Sequence, residues 1–76
     1  MATEDKTIYF NFRKLKELRL SMPEVTIGAI CRGIGIRRSV YHNYETGKTQ
    51  PGIHTLIKIA RFFEVWVGEL LYKEFQ

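Results

Sequence analysis

The sequence predicts an all-α fold, a compact bundle of five helices. Apolar residues recur at helical spacing in successive stretches, and residues suited to capping or breaking a helix bound those stretches. A third observation is the absence of a staple: Cys31 is the single cysteine, so no disulfide can form within the chain, and His42 and His54 cannot complete a Cys-rich zinc site with it. Packing must therefore carry stability. The 76 residues suffice for one small domain, and with 45% hydrophobic and 26% charged residues the chain is expected to fold.

Asn11 is a candidate N-cap for a first helix in which Phe12, Leu15 and Leu18 share one face, ending near Ser21. Pro23 blocks continuation, so residues 22–25 form a turn. Thr26 caps a second helix over 27–34, where Ile27, Ile30, Cys31 and Ile34 make an apolar stripe. The rival reading there is a strand, because β-branched residues are frequent and Gly28 and Gly33 each weaken a helix by roughly 1 kcal/mol. Gly35 turns the chain into a third short helix over 38–45. Residues 46–52 are polar and rich in breakers, hence a loop. In the fourth helix Ile53, Leu56, Ile57, Ala60 and Phe63 offer an apolar face, and a last short helix is expected to carry Leu70, Leu71 and Phe75.

The net charge of +4 is unevenly spread. Residues 13–61 hold ten of the twelve Lys and Arg but three of the eight acids, giving +7 in the middle and −3 at the two ends together. A basic body with acidic ends suggests a polyanionic partner. The start of the chain, with Glu4 and Asp5, lacks the form of a secretory signal, and apolar runs stay far short of the roughly 20 residues that span a membrane. The expectation is a soluble, cytoplasmic protein without a membrane partner.

From Ile27 the pattern runs apolar at Ile30, small at Cys31, apolar at Ile34, then Gly35, Ile36, Tyr41 and Tyr44. In a helix-turn-helix the small residue permits a close crossing, the glycine makes the turn, and the apolar positions fill the angle between helices. Tyr44-Glu45-Thr46-Gly47-Lys48 follows, with Pro51, Thr55-Leu56 and Lys58-Ile59-Ala60 beyond it. On these residues the chain, over about Phe12 to Leu71, resembles the phage repressor and Cro class of helix-turn-helix regulators, the xenobiotic-response-element family.

The resemblance implies a sequence-specific transcriptional regulator, a repressor of bacterial or phage origin working in a bacterial cytoplasm, with helix 38–45 in the DNA major groove. It carries base contacts over to Arg38, Ser39 and Asn43, and phosphate contacts to Thr26, the Ile27 amide, Arg37, Lys48 and Lys58. Chemistry agrees at two positions, since Arg pairs with guanine and Asn with adenine through two hydrogen bonds, and Val40 suits a thymine methyl group. It also implies an ion pair between Arg19 and Glu45. The chain departs from the family's usual pattern at Ile27, Gly28, Gly33 and Tyr41, and has one extra residue between its first two helices.

His42 reads as a surface residue, His54 as a helix-start residue and Cys31 as a small core residue. Gly33-Ile34-Gly35 lacks the third glycine or Gly-Lys-Ser/Thr ending of a nucleotide loop. Without a nucleophile, base and metal cluster at readable spacing, no enzymatic activity, cofactor or metal is expected. The competing function is a protein-interaction module on the same scaffold, an antirepressor or antitoxin meeting a regulatory protein partner through Ile27, Val40 and Tyr41.

The expected organisation is an N-terminal arm over 1–11, a DNA-binding domain over 12–72 and a tail over 73–76. One recognition helix reads few base pairs, so the resemblance further implies a homodimer on paired half-sites. Trp66, Leu70, Leu71, Tyr72 and Phe75 are the expected dimer surface, because a short last helix cannot bury them all against its own core. The rival surface is residues 7–12, where alternating Ile8, Phe10 and Phe12 can pair as a strand with a second copy or with the tail.

Overall fold

The computed structural model describes residues 6–75, with side chains placed for residues 8–72. Its helices are α1 (Phe12–Leu20), α2 (Ile27–Ile34), α3 (Arg38–Glu45) and α4 (Ile53–Phe63). A 3-10 turn (Val67–Leu70) follows, and two strands, β1 (Lys6–Phe10) and β2 (Leu71–Phe75), pair antiparallel with Phe10 opposite Leu71.

Local chemistry sets the helix ends. The Asn11 side chain accepts the Lys14 N–H at 3.2 Å, and Thr26 Oγ1 accepts the Ala29 N–H at 3.0 Å. Gly35 ends α2 with φ 87°, a left-handed conformation that a side chain would strain. The strand-prone stretch before it is therefore helical, and its β-branched residues are inward-facing packing groups. Gly33 is there for space: a Cβ on it would lie 2.4 and 2.6 Å from two ring carbons of Phe62, so the approach of α2 to α4 requires glycine.

Each helix gives the core its inward stripe: Leu15 from α1; Ile30, Cys31 and Ile34 from α2; Tyr41 and Tyr44 from α3; and Leu56, Ile59, Ala60 and Phe63 from α4. Burying each large aliphatic side chain contributes about 1.5–3 kcal/mol. The apolar face of α4 is turned from the expected one. Residues 56, 59, 60 and 63 form the inward stripe, which leaves Ile53 and Ile57 on its flank, 60% and 39% exposed.

The bundle has four helices rather than five. Val67–Leu70 makes a single 3-10 turn, after which the Leu70 carbonyl accepts the Asn11 N–H at 2.7 Å and the chain continues as β2. That hydrogen bond and the pairing with β1 take up the backbone groups a fifth helix would need. The fold is mostly helical with a two-stranded ribbon, so the all-α description holds for the bundle and fails for the segments flanking it. The ribbon supports α3: Phe10 is buried edge-on against Tyr44 at 6.4 Å, and its N–H donates to Gln50 Oε1 at 2.9 Å in the loop after α3.

On the other side, α1 holds α3 through Arg19, whose Nε and Nη2 donate to the two Glu45 carboxylate oxygens at 2.6 and 3.0 Å. The Tyr41 hydroxyl is buried beside this pair with no hydrogen-bond partner. Burial first, and then the nearby Glu45 carboxylate, push its ionisation far above the ordinary tyrosine range, so it stays neutral. Among the described residues no helix is long and apolar enough to cross a membrane.

Candidate nucleic-acid interface

The turn of residues 35–37 sets α3 at an angle to α2 and fixes which of its faces is free. Tyr41 and Tyr44 point into the core, leaving Arg38, Ser39 and His42 exposed and Val40 and Asn43 half-buried on the outer side. Arg38 is the first residue of α3, and its N-cap, Arg37, makes no side-chain capping bond, so both residues stand at the mouth of the helix. Arg38 lies back over α2: a Cβ on Gly28 would be 2.6 Å from Arg38 Nη2. The end of the Arg38 side chain thus lies over Gly28.

At the start of α2 the Thr26 side chain is committed to the Ala29 amide. The amides of Ile27 and Gly28 lie in the same unbonded first turn, whose N–H groups and dipole favour an anion. The Ile27 side chain itself is 38% exposed. After α3 the Asn43 carbonyl accepts the amides of Lys48 and Thr49 at 2.9 and 3.3 Å, which folds the loop back and fixes the backbone that presents the exposed Lys48. Lys58 stands on α4, where with Arg32 and Arg61 it lines a groove.

These cations stand apart from the ion pairs of the described residues, each of which includes a residue of α1. Among the described residues Lys14 pairs with Glu17 and Glu69, and Arg19 with Glu45. Arg32, Arg37, Arg38, Lys48, Lys58 and Arg61 have no ion-pair partner among those residues. Six unpaired cations around the outer side of α2, α3 and α4 can bind a polyanion without first breaking a bridge.

The expected dimer residues divide. Trp66 is 81% exposed, whereas Leu70 is fully buried in the protomer's own core and unavailable to a partner, because the 3-10 turn aims it inward. Leu71 is half-buried beside the core, and Tyr72 is 38% exposed with its ring 5.5 Å from Tyr9 across the ribbon. The Phe75 side chain lies outside the described residues. Beside Trp66 an open groove of about 450 Å³ is lined by Ile57, Ala60, Arg61, Glu64, Val65 and Val67. The rival surface has Ile8, 55% exposed, at the ribbon edge.

Sequence reasoning gave Arg32 and Arg61 no individual role and set Ile53 and Ile57 on the inward face of α4, where the structure leaves all four exposed. The signal was present as i, i+4 pairs, 28 with 32, 53 with 57 and 57 with 61, each lying on one helix face. Cys31 is a buried free thiol, its ionisation pushed up by burial. Among the described residues no three His, Cys, Asp or Glu side chains come together to hold a metal ion.

Two helices crossing at a glycine turn, the second with a free polar face, define a helix-turn-helix protein. The helix-turn-helix family model matches residues 15–70. The chain belongs to that family, in its phage repressor and Cro branch. It is similar to the cryptic phage CTXphi transcriptional repressor RstR of Vibrio cholerae, with 31% identity over 58 residues that cover 76% of this chain and 51% of the relative. The chain therefore spans about half the length of the curated relative it matches.

Proposed function

We propose that the chain is a sequence-specific DNA-binding transcriptional repressor, without enzymatic activity, that reads the major groove with α3. The observation that carries this reading is the free outer face of α3 flanked by unpaired cations. In the proposed complex Arg38, Ser39, Val40 and Asn43 meet base edges, while Thr26, the Ile27 amide, Arg37, Lys48 and Lys58 meet phosphates. Repression rather than activation is supported by similarity to a transcriptional repressor. Residues 12–72 are the proposed binding unit, acting in a bacterial cytoplasm, and the parts of the arm and tail that form the ribbon brace α3 through Phe10.

The protein is proposed to act as a homodimer, joined through the exposed Trp66 and the groove beside it. The competing reading, a surface for a regulatory protein, loses support at Tyr41, which is buried and cannot meet a partner.

Selection on random duplex DNA tests the function, and two variants test the roles. Wild type is expected to enrich one motif. Arg38→Ala is expected to cost about 1–3 kcal/mol and relax preference at one base position, whereas Lys48→Ala weakens all sequences alike and lowers the salt slope by about one. No enrichment, together with salt-independent retention, would reject DNA as the partner. Identical preferences for wild type and Arg38→Ala would remove that residue from base reading.

A further inference from the structure

We infer that the groove between α2 and α4 takes the sugar-phosphate backbone of DNA beyond the stretch that α3 reads, with Arg32 and Arg61 as contacts alongside Lys58. The inference rests on the DNA-binding reading above and extends it to residues that reading does not use. The groove, about 410 Å³, is lined by Arg32, Lys58, Arg61, Phe62 and the 33–35 turn, with no acidic residue among its walls. All three cations are exposed and, among the described residues, none is in an ion pair. Three like charges held around one cleft repel one another, and the arrangement is relieved when an anion enters it.

The groove is built rather than incidental. Gly33 gives Phe62 its seat, so the ring closes the wall between Arg32 and Arg61, and the glycine turn at Gly35 leaves that end open. The groove is also continuous with the reading helix. Arg32 Nη1 and Arg38 Nη2 approach the same point above Gly28, at 3.5 and 2.6 Å from a Cβ placed there. A track of positive charge therefore runs from the first residue of α3 along α2 to α4. An extended polyanion crossing the mouth of α3 meets Arg32 next and the α4 cations after it, and a duplex backbone supplies the evenly spaced single charges that such a track fits. Glu64, in the neighbouring groove with Arg61, makes no ion pair with it.

The test uses the full chain and a duplex bearing the selected motif with long flanks. Arg32→Gln and Arg61→Gln are each expected to lower the slope of log affinity against log salt by about one, and the double variant by about two, with unchanged base ranking. Hydroxyl-radical footprints are expected to lose protection at the flank, and Arg32→Lys is expected to keep the wild-type slope. Trimming the duplex to the stretch α3 covers is expected to erase the difference between wild type and the double variant. A double variant that melts like wild type and keeps its salt slope and footprint would overturn the inference while leaving α3 as the reading element. A wild-type protein with no salt-dependent DNA binding would instead overturn the parent reading, and a difference from wild type that survives trimming, with a slope that Arg32→Lys does not keep, would assign the loss to altered folding of α2 and reject the contact.

Discussion

Glu45→Ala is expected to melt at least about 12 °C below the wild-type protein. The Arg19–Glu45 side chains are 22% and 12% exposed and joined by two hydrogen bonds, so removing the carboxylate leaves a part-buried guanidinium without a partner. Breaking such a pair costs about 3–5 kcal/mol when burial is complete, and the residual exposure here places the loss at the lower end, about 3 kcal/mol. A domain of this size loses roughly 4–8 °C per kcal/mol. Replacing both partners, as in Arg19→Met with Glu45→Leu, is expected to recover most of the loss, because the penalty belongs to the orphaned charge. A Glu45→Ala midpoint within a few degrees of wild type would show that water screens the pair.

The same pair sets an acid limit. Burial alone would raise the Glu45 ionisation, but the Arg19 hydrogen bonds, with the nearby Tyr41 hydroxyl and the charges of Arg19 and Lys16, outweigh it and hold the carboxyl below its usual value. A carboxyl lowered in the folded state binds protons more readily once unfolded. The pair's stabilisation is therefore full above the ordinary glutamate value of about 4.3 and is lost as pH falls through the lower folded value. Wild-type stability is expected to fall through this window, and Glu45→Gln to fall less steeply. Parallel pH profiles for the two would remove Glu45 as the cause.

Much of the helical frame is legible in the sequence because its determinants are local. Asn11 and Thr26 are capping side chains acting three residues ahead, and Gly35 is a turn residue at the end of its own helix. What eluded sequence reasoning depends on residues far apart in the chain. The segment after Leu70 has helix-compatible spacing, and only its pairing with β1 makes it a strand. The edge alternation of Ile8 and Phe10 signals pairing and leaves two partners open, a second copy or the tail, of which the structure has the tail. Gly28 and Gly33 look like flaws in α2 when propensity alone is considered. At Gly33 the reason is the Phe62 ring of α4, whereas Gly28 lies beneath the movable end of the Arg38 side chain. The α4 stripe was misplaced because Ile53, Ile57 and Ile59 are chemically alike, so composition cannot tell which isoleucines α2 covers.

Trp66→Glu is expected to convert the proposed dimer to a monomer and weaken binding to a two-half-site operator by about 10²–10⁴-fold, the advantage that a second linked contact normally gives. Trp66 is 81% exposed beside Ile57, and a large indole left in water at the rim of an apolar groove is the kind of anchor that dominates interfaces. Knob and groove lie on one surface, which is what a two-fold contact requires, since each copy must offer the other the same patch. The ribbon edge competes for this role, and Ile8→Glu separates the two: it is expected to leave the sedimentation coefficient unchanged, whereas Trp66→Glu lowers it to the monomer value. Binding of Trp66→Glu to a single half-site is expected to match wild type, because the substitution lies away from α3. Loss of assembly with Ile8→Glu alone would move the interface to the ribbon, and a wild-type chain that stays monomeric at high micromolar concentration and binds DNA as one copy would reject the dimer.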